Sequence, residues 1–184
     1  PVYVPTEFPD FRLDLDRLAA AVTDRTRVIV VNTPTNPTGQ LLSAGEISML
    51  GELAARHDAY LISDEVYEHL VYDGAEHLPV ASDPVARERT ITVSSVSKTF
   101  SATGWRIGWA VAPRSLSAAV RSAHQFVTFN ATTPLQRATA VMLDVAATGA
   151  YYRSLVEQYT ERRDILLAAL AELDLEIGRP RGTY

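Results

Sequence analysis

Of the 17 lysine and arginine side chains in this sequence, only Lys98 is an amine. An amine can form a Schiff base with an aldehyde cofactor and exchange it for a substrate amine, which a permanently charged guanidinium cannot do. Ser95 stands three residues before the lysine and Arg106 eight after it. A hydroxyl and a bidentate guanidinium at those positions suit a phosphate held beside the amine, and Ser94 and Ser97 add possible donors. The plain alternative is a surface lysine in a Ser/Thr loop.

Two other stretches bear on that choice. Arg27–Val31 is a continuous apolar run that predicts a strand covered on both faces. It is followed by Asn32-Thr33-Pro34-Thr35-Asn36-Pro37-Thr38-Gly39. The prolines and glycine predict a rigid turn in which Asn36, extended before Pro37, can aim its amide into a site; a plain structural turn is the alternative. Ala59–Ser63 is a second such run and ends in Asp64-Glu65-Val66-Tyr67; Thr90–Val93 is a third and ends at Ser94 and Ser95. Between the first two, Ser43 and Glu46 have capping-box spacing and predict a helix to about His57, which is read as a solvated residue near the helix end. Strands alternating with helices predict an α/β fold with a mainly parallel sheet. The carboxyl ends of its strands would carry Asn36, then Asp64 and Tyr67, then Ser95 and Lys98, in the crevice where such sheets bind ligands. Asp64 could instead cap a following helix, on which Tyr67 would share its face.

The Ser-x-x-Lys spacing with Arg106 resembles the fold-type I pyridoxal-phosphate (PLP) enzymes of the aspartate aminotransferase family. The longer string from Ser97 to Trp109, Ser-Lys-Thr-Phe-Ser-Ala-Thr-Gly-Trp-Arg-Ile-Gly-Trp, is similar to the kynurenine, glutamine and methionine aminotransferase branch. The resemblance covers nearly the whole chain. It implies a three-layer α/β/α large domain, incomplete over residues 1–173, with residues 174–184 opening a small C-terminal domain. It also implies transfer of an amino group from an amino acid to a 2-oxo acid. Lys98 would hold the cofactor and then act as general base and acid. Asp64 would keep the pyridine nitrogen protonated, since the acidic partner of the pyridinium is usually an aspartate. Tyr67 and Asn36 would contact the phenolic oxygen, and Ser95, Ser97 and Arg106 would hold the phosphate.

The resemblance further implies a homodimer with composite sites, prompted by His124 to Asn130, where Phe129 and Asn130 could line a substrate pocket and Phe126 packs in the core. A glycine-rich phosphate turn, the aromatic residue that stacks on the cofactor ring and the arginine for the substrate carboxylate are expected outside these residues. The 184 residues alone are therefore not expected to transaminate. A PLP-dependent cysteine-conjugate β-lyase shares the same cofactor shell. A PLP-sensing domain of a transcription regulator is a third possibility, opposed by the lack of a helix-turn-helix pattern.

Composition agrees with a globular protein: 47% hydrophobic and 21% charged residues, with no apolar run long enough to span a membrane. A net charge of −5 offers no footprint for nucleic acid. With no cysteine and four dispersed histidines, neither a disulfide nor a metal site is expected, and the cytoplasm is the expected compartment. Further elements are a short helix capped by Asp14 or Asp16 and a loop from Glu68 to Arg89. Beyond them come a strand over Ile107–Ala112, antiparallel in the family, and helices over Pro113–Val127, Thr133–Ala147 and Gly149–Leu173. Arg162 and Arg163 are placed on a solvated face.

Overall fold

A computed structural model describes residues 1–184. Its first helix, α1 (Leu15–Ala21), begins where Asp14 accepts a hydrogen bond from the Arg17 amide at 2.9 Å. Strand β1 (Val28–Asn32) leads through the proline turn to α2 (Ala44–Arg56). Here the capping box forms as expected: Ser43 Oγ accepts from the Glu46 amide, and Glu46 accepts from the Ser43 amide at 2.6 Å. Ile47, Leu50 and Ala54 then fall on one stripe of the helix and are buried, packing with Ile29 of β1 and Leu61 of β2 (Tyr60–Asp64).

The sheet runs β1-β2-β3-β4. β3 (Thr90–Ser95) pairs parallel to β2, as the strand–helix alternation predicts, and β4 (Gly108–Val111) pairs antiparallel to β3, as the family resemblance implies. The loop expected over residues 68–89 contains a short 3-10 turn, Val80–Ser82, and the one-turn helix α3 (Pro84–Arg87). The latter is started by Asp83, which caps two amides, and by a proline in its first turn. After β3 come α4 (Val96–Thr99), α5 (Arg114–Val127), α6 (Thr133–Ala146) and α7 (Ala150–Leu170). No helix is long and apolar enough to cross a membrane.

Three expectations are corrected. The β1 run predicts cover on both faces, yet Val28 and Val30 are 46% and 68% exposed, because helices of this chain pack only on the Ile29 side. Phe126 is not a core residue: it is 85% exposed, on a helix that buries none of its side chains. Arg162 is solvated but Arg163 is buried, since consecutive helical residues point about 100° apart and cannot share a face. His57 is also less free than expected, with its ring 2.9 Å from the Asp24 carboxylate.

Arg163 ties α7 to the segment after β2. Its guanidinium donates two hydrogen bonds to Asp73, at 2.8 and 2.9 Å, and lies over the Tyr72 ring. These bonds, together with those from Arg179, hold the Asp73 carboxyl well below the usual carboxylate range. Arg163→Ala is expected to lower unfolding stability by about 1–2 kcal/mol, toward the low end for a charged hydrogen bond because Asp73 keeps contact with solvent. A carboxyl with a depressed folded-state pKa contributes stability above its unfolded value and loses it as pH falls toward the folded one. Urea unfolding at neutral pH should therefore show the full deficit of the variant, and the deficit should shrink as pH drops below about 4.

Candidate active site

The register of the sheet brings the predicted residues to one edge. Asn32 lies opposite Asp64, and Asp64 opposite Val93, so the three parallel strands end side by side. Asn32 braces both neighbours. Its amide donates to the Asp64 carbonyl at 2.9 Å, and its side-chain oxygen accepts from the Asn36 amide at 2.7 Å. The turn is closed by Gly39, whose φ of +71° and close contact with Pro180 exclude a side chain. Within it the Thr33–Pro34 and Asn36–Pro37 peptides are cis, and the Asn36 side-chain amide donates to the Tyr67 hydroxyl at 3.0 Å.

No helix follows Asp64. Residues 66–69 form a turn, in which Asp64 Oδ1 accepts from the Val66 amide at 3.2 Å. Asp64 and Tyr67 are thus placed by an Asx-type turn and not by a shared helical face. The second carboxylate oxygen of Asp64 accepts nothing from the chain. Tyr67 is buried, with its hydroxyl on Asn36.

Lys98 lies on α4, directly after β3. Ser95 caps this helix, accepting from the Ser97 amide at 3.2 Å, and Ser97 is held through its carbonyl by the Thr103 hydroxyl. The Lys98 ammonium makes no ion pair. It lies 5.9 Å from the centre of the Tyr67 ring and 5.3 Å from that of Tyr184. Ser94 does not join the site as a donor, because its hydroxyl is committed to Glu68 at 2.8 Å. Arg106 is exposed in a left-handed conformation, with φ of 55°, and its guanidinium touches only the Thr103 carbonyl. Ser95 pairs across the sheet with Gly108, where a Cβ would come 2.9 Å from the Ser94 carbonyl; glycine therefore lets the Arg106 segment close on the Lys98 segment.

Sequence reasoning missed two supports. Tyr184 stacks on Tyr159, meets Tyr67 edge-on at 5.1 Å and stands over the lysine; burial, with lesser contributions from Tyr67 and Tyr159, pushes its phenol up to about 12. Tyr151 donates to the Thr99 carbonyl at 2.7 Å and stacks on Phe100, bracing the end of α4. A cavity of about 1000 Å³ is separate from Lys98: it lies between β4, α5 and the start of α6. Arg106 and Asn130 line it, but Phe129, which is 81% exposed, does not.

The residues present fit PLP. They comprise an unpaired amine, a carboxylate with a free oxygen, a phenol and amide joined by a hydrogen bond, and a hydroxyl and guanidinium free of carboxylate partners.

The family model of aminotransferase class I and II matches residues 1–184. The chain belongs to that family. Among its relatives, a probable N-succinyldiaminopimelate aminotransferase DapC of Mycobacterium tuberculosis is 45% identical, over 95% of this chain and 43% of the relative. The methionine aminotransferase of Escherichia coli is 42% identical, over 96% of this chain and 45% of the relative. The solved structure of an aromatic aminotransferase from Pyrococcus horikoshii superposes with a TM-score of 0.92 at 37% identity, covering all of this chain and 49% of the other. The chain thus spans a little under half the length of these relatives, and its α/β fold with a mainly parallel sheet is theirs.

Proposed function

We propose that the protein is a PLP-dependent aminotransferase that moves an amino group from an amino acid to a 2-oxo acid. The observation that carries this reading is the unpaired Lys98 ammonium beside Tyr67, whose hydroxyl is held by Asn36 at the neighbouring strand end. When bound, PLP supplies an aldehyde that bonds to an amine and a pyridine ring that takes up electrons from the substrate's α-carbon. Lys98 Nζ would hold the cofactor, give way to the substrate amine, and then move the α-carbon proton as base and acid. The free oxygen of Asp64 would keep a proton on the ring nitrogen. Tyr67 Oη and Asn36 Nδ2 would bind the ring oxygen, and Ser95, Ser97 and Arg106 the phosphate. The relatives named above are aminotransferases, which favours this reading over a β-lyase or a sensor.

On the same reading residues 1–173 belong to the cofactor-binding domain and 174–184 open the small one, with the end of α7 at Leu170 in support. A homodimer is also part of it, supported by Phe126, Val127 and Phe129, an apolar patch more than 80% exposed that this chain leaves uncovered. The test is a half-reaction in the full-length protein loaded with PLP, with sedimentation reading its state of association. At least one amino acid should convert the cofactor absorbance to that of its amine form, and a 2-oxo acid should restore it. Bound PLP that no amino acid converts would overturn the reading.

A further inference from the structure

Glu65 is 1% exposed and lies between Asp64 and Tyr67 in the sequence, yet the chemistry above does not use it. A buried carboxylate is costly unless it is fully hydrogen-bonded. Here both oxygens are occupied. Oε1 accepts from the Ser63 hydroxyl at 2.8 Å and the Val80 amide at 3.0 Å, and Oε2 lies 2.9 Å from His77 Nε2. His77 has no other partner: its Nδ1 is buried and unsatisfied, so its one hydrogen bond is spent on Glu65. The Glu65 backbone is held as well, its N–H donating to the Val93 carbonyl and its carbonyl accepting from the Glu68 amide, each at 2.9 Å. The turn from Asp64 to Tyr67 is therefore pinned through its backbone to β3 and through one side chain to the 3-10 turn at Val80. The Asp64 side chain makes one local hydrogen bond, to the Val66 amide, and the Tyr67 hydroxyl is held by Asn36; Glu65 is the side chain that ties this turn to residues 77–80.

We propose that Glu65 is a positioning residue, whose side chain spans from β2 to Val80 and His77 and so fixes the aim of the Asp64 carboxylate and the Tyr67 hydroxyl. This rests on the PLP reading, in which those two groups face the cofactor ring. The reach of the side chain matters, and its charge does not. In Glu65→Gln the amide oxygen keeps the Ser63 and Val80 bonds, and the amide nitrogen can donate to His77 Nε2 when the imidazole proton sits on Nδ1. Glu65→Asp keeps the charge but is one methylene short.

The experiment uses the full-length protein with Glu65→Ala, Glu65→Asp and Glu65→Gln, and two readouts. In the PLP-loaded enzyme, Ala and Asp should lower kcat by about 10- to 100-fold with KM little changed, the mark of misaligned groups; Gln should restore the wild-type value. In the cofactor-free protein, nitration by tetranitromethane, mapped by mass spectrometry, should reach Tyr67 in the Ala and Asp variants and spare it in wild type and Gln. Tyr3, 85% exposed, serves as the reagent control. Normal kcat and a protected Tyr67 in the Ala and Asp variants would overturn the proposal, as would an impaired Gln beside a normal Asp. If Glu65→Ala does not fold, Glu65→Asp carries the test; if neither folds, Glu65 serves the fold alone and the proposal fails. Should wild type neither retain PLP nor transaminate, the functional reading falls, while nitration still decides the role of Glu65.

Discussion

Lys98→Ala in the full-length protein should leave no borohydride-reducible adduct with PLP and lower transamination by at least about 10²- to 10⁴-fold, the range of a positioned acid–base group. Lys98→Arg should do the same, because a guanidinium keeps the charge yet can neither bond covalently to an aldehyde nor take up a proton near neutral pH. The fold should tolerate both changes. The ammonium makes no ion pair, and its approach to the Tyr67 and Tyr184 rings is worth about 1 kcal/mol or less at a half-exposed site. Unchanged melting with lost chemistry is thus the expected pairing. A reduced adduct that maps by mass spectrometry to any other group would refute the assignment of Lys98.

Asp64→Asn is the second decisive variant. An asparagine keeps an oxygen for the Val66 amide, so the turn should persist, but it cannot keep a proton on a pyridine nitrogen by charge. Turnover should fall by about 10²-fold or more, as when a fixed electrostatic partner of a reacting group is removed, while saturating PLP still binds. Asp64→Ala should lose the turn contact as well and hold the cofactor more weakly. The comparison separates two roles that share one side chain. Near-normal turnover in Asp64→Asn would leave Asp64 as a turn former only.

What the sequence by itself determined lies within a few residues of each signal. Ser43 and Glu46 specify the start of α2 because both bonds of a capping box close inside one turn of helix. The apolar runs at Arg27–Val31, Ala59–Ser63 and Thr90–Val93 specify strands because short runs rich in β-branched and other apolar residues favour extended backbone. Once those strands are parallel neighbours, Asn36, Asp64, Tyr67, Ser95 and Lys98 must gather at one edge. The spacing of Ser95 and Lys98 was legible for the same reason, since one strand end and one short helix carry it, whereas Arg106 follows a separate 3-10 turn over Thr103–Trp105.

Tertiary structure alone decided the rest, because the partners are far apart in the chain and no local pattern couples them. Arg163 reads as a solvated helix residue until Asp73, ninety positions away, lies against it. Tyr184 bears no motif, yet the returning C-terminal segment, joined to the Tyr72 hydroxyl at Thr183 and bridged to Val71 at Gly182, sets its ring over Lys98. Glu65 reads as one more acidic residue beside Asp64. Only the packing of residues 77–80 against the end of β2 turns it into a buried, three-partner anchor, because an isolated carboxylate would have stayed in water.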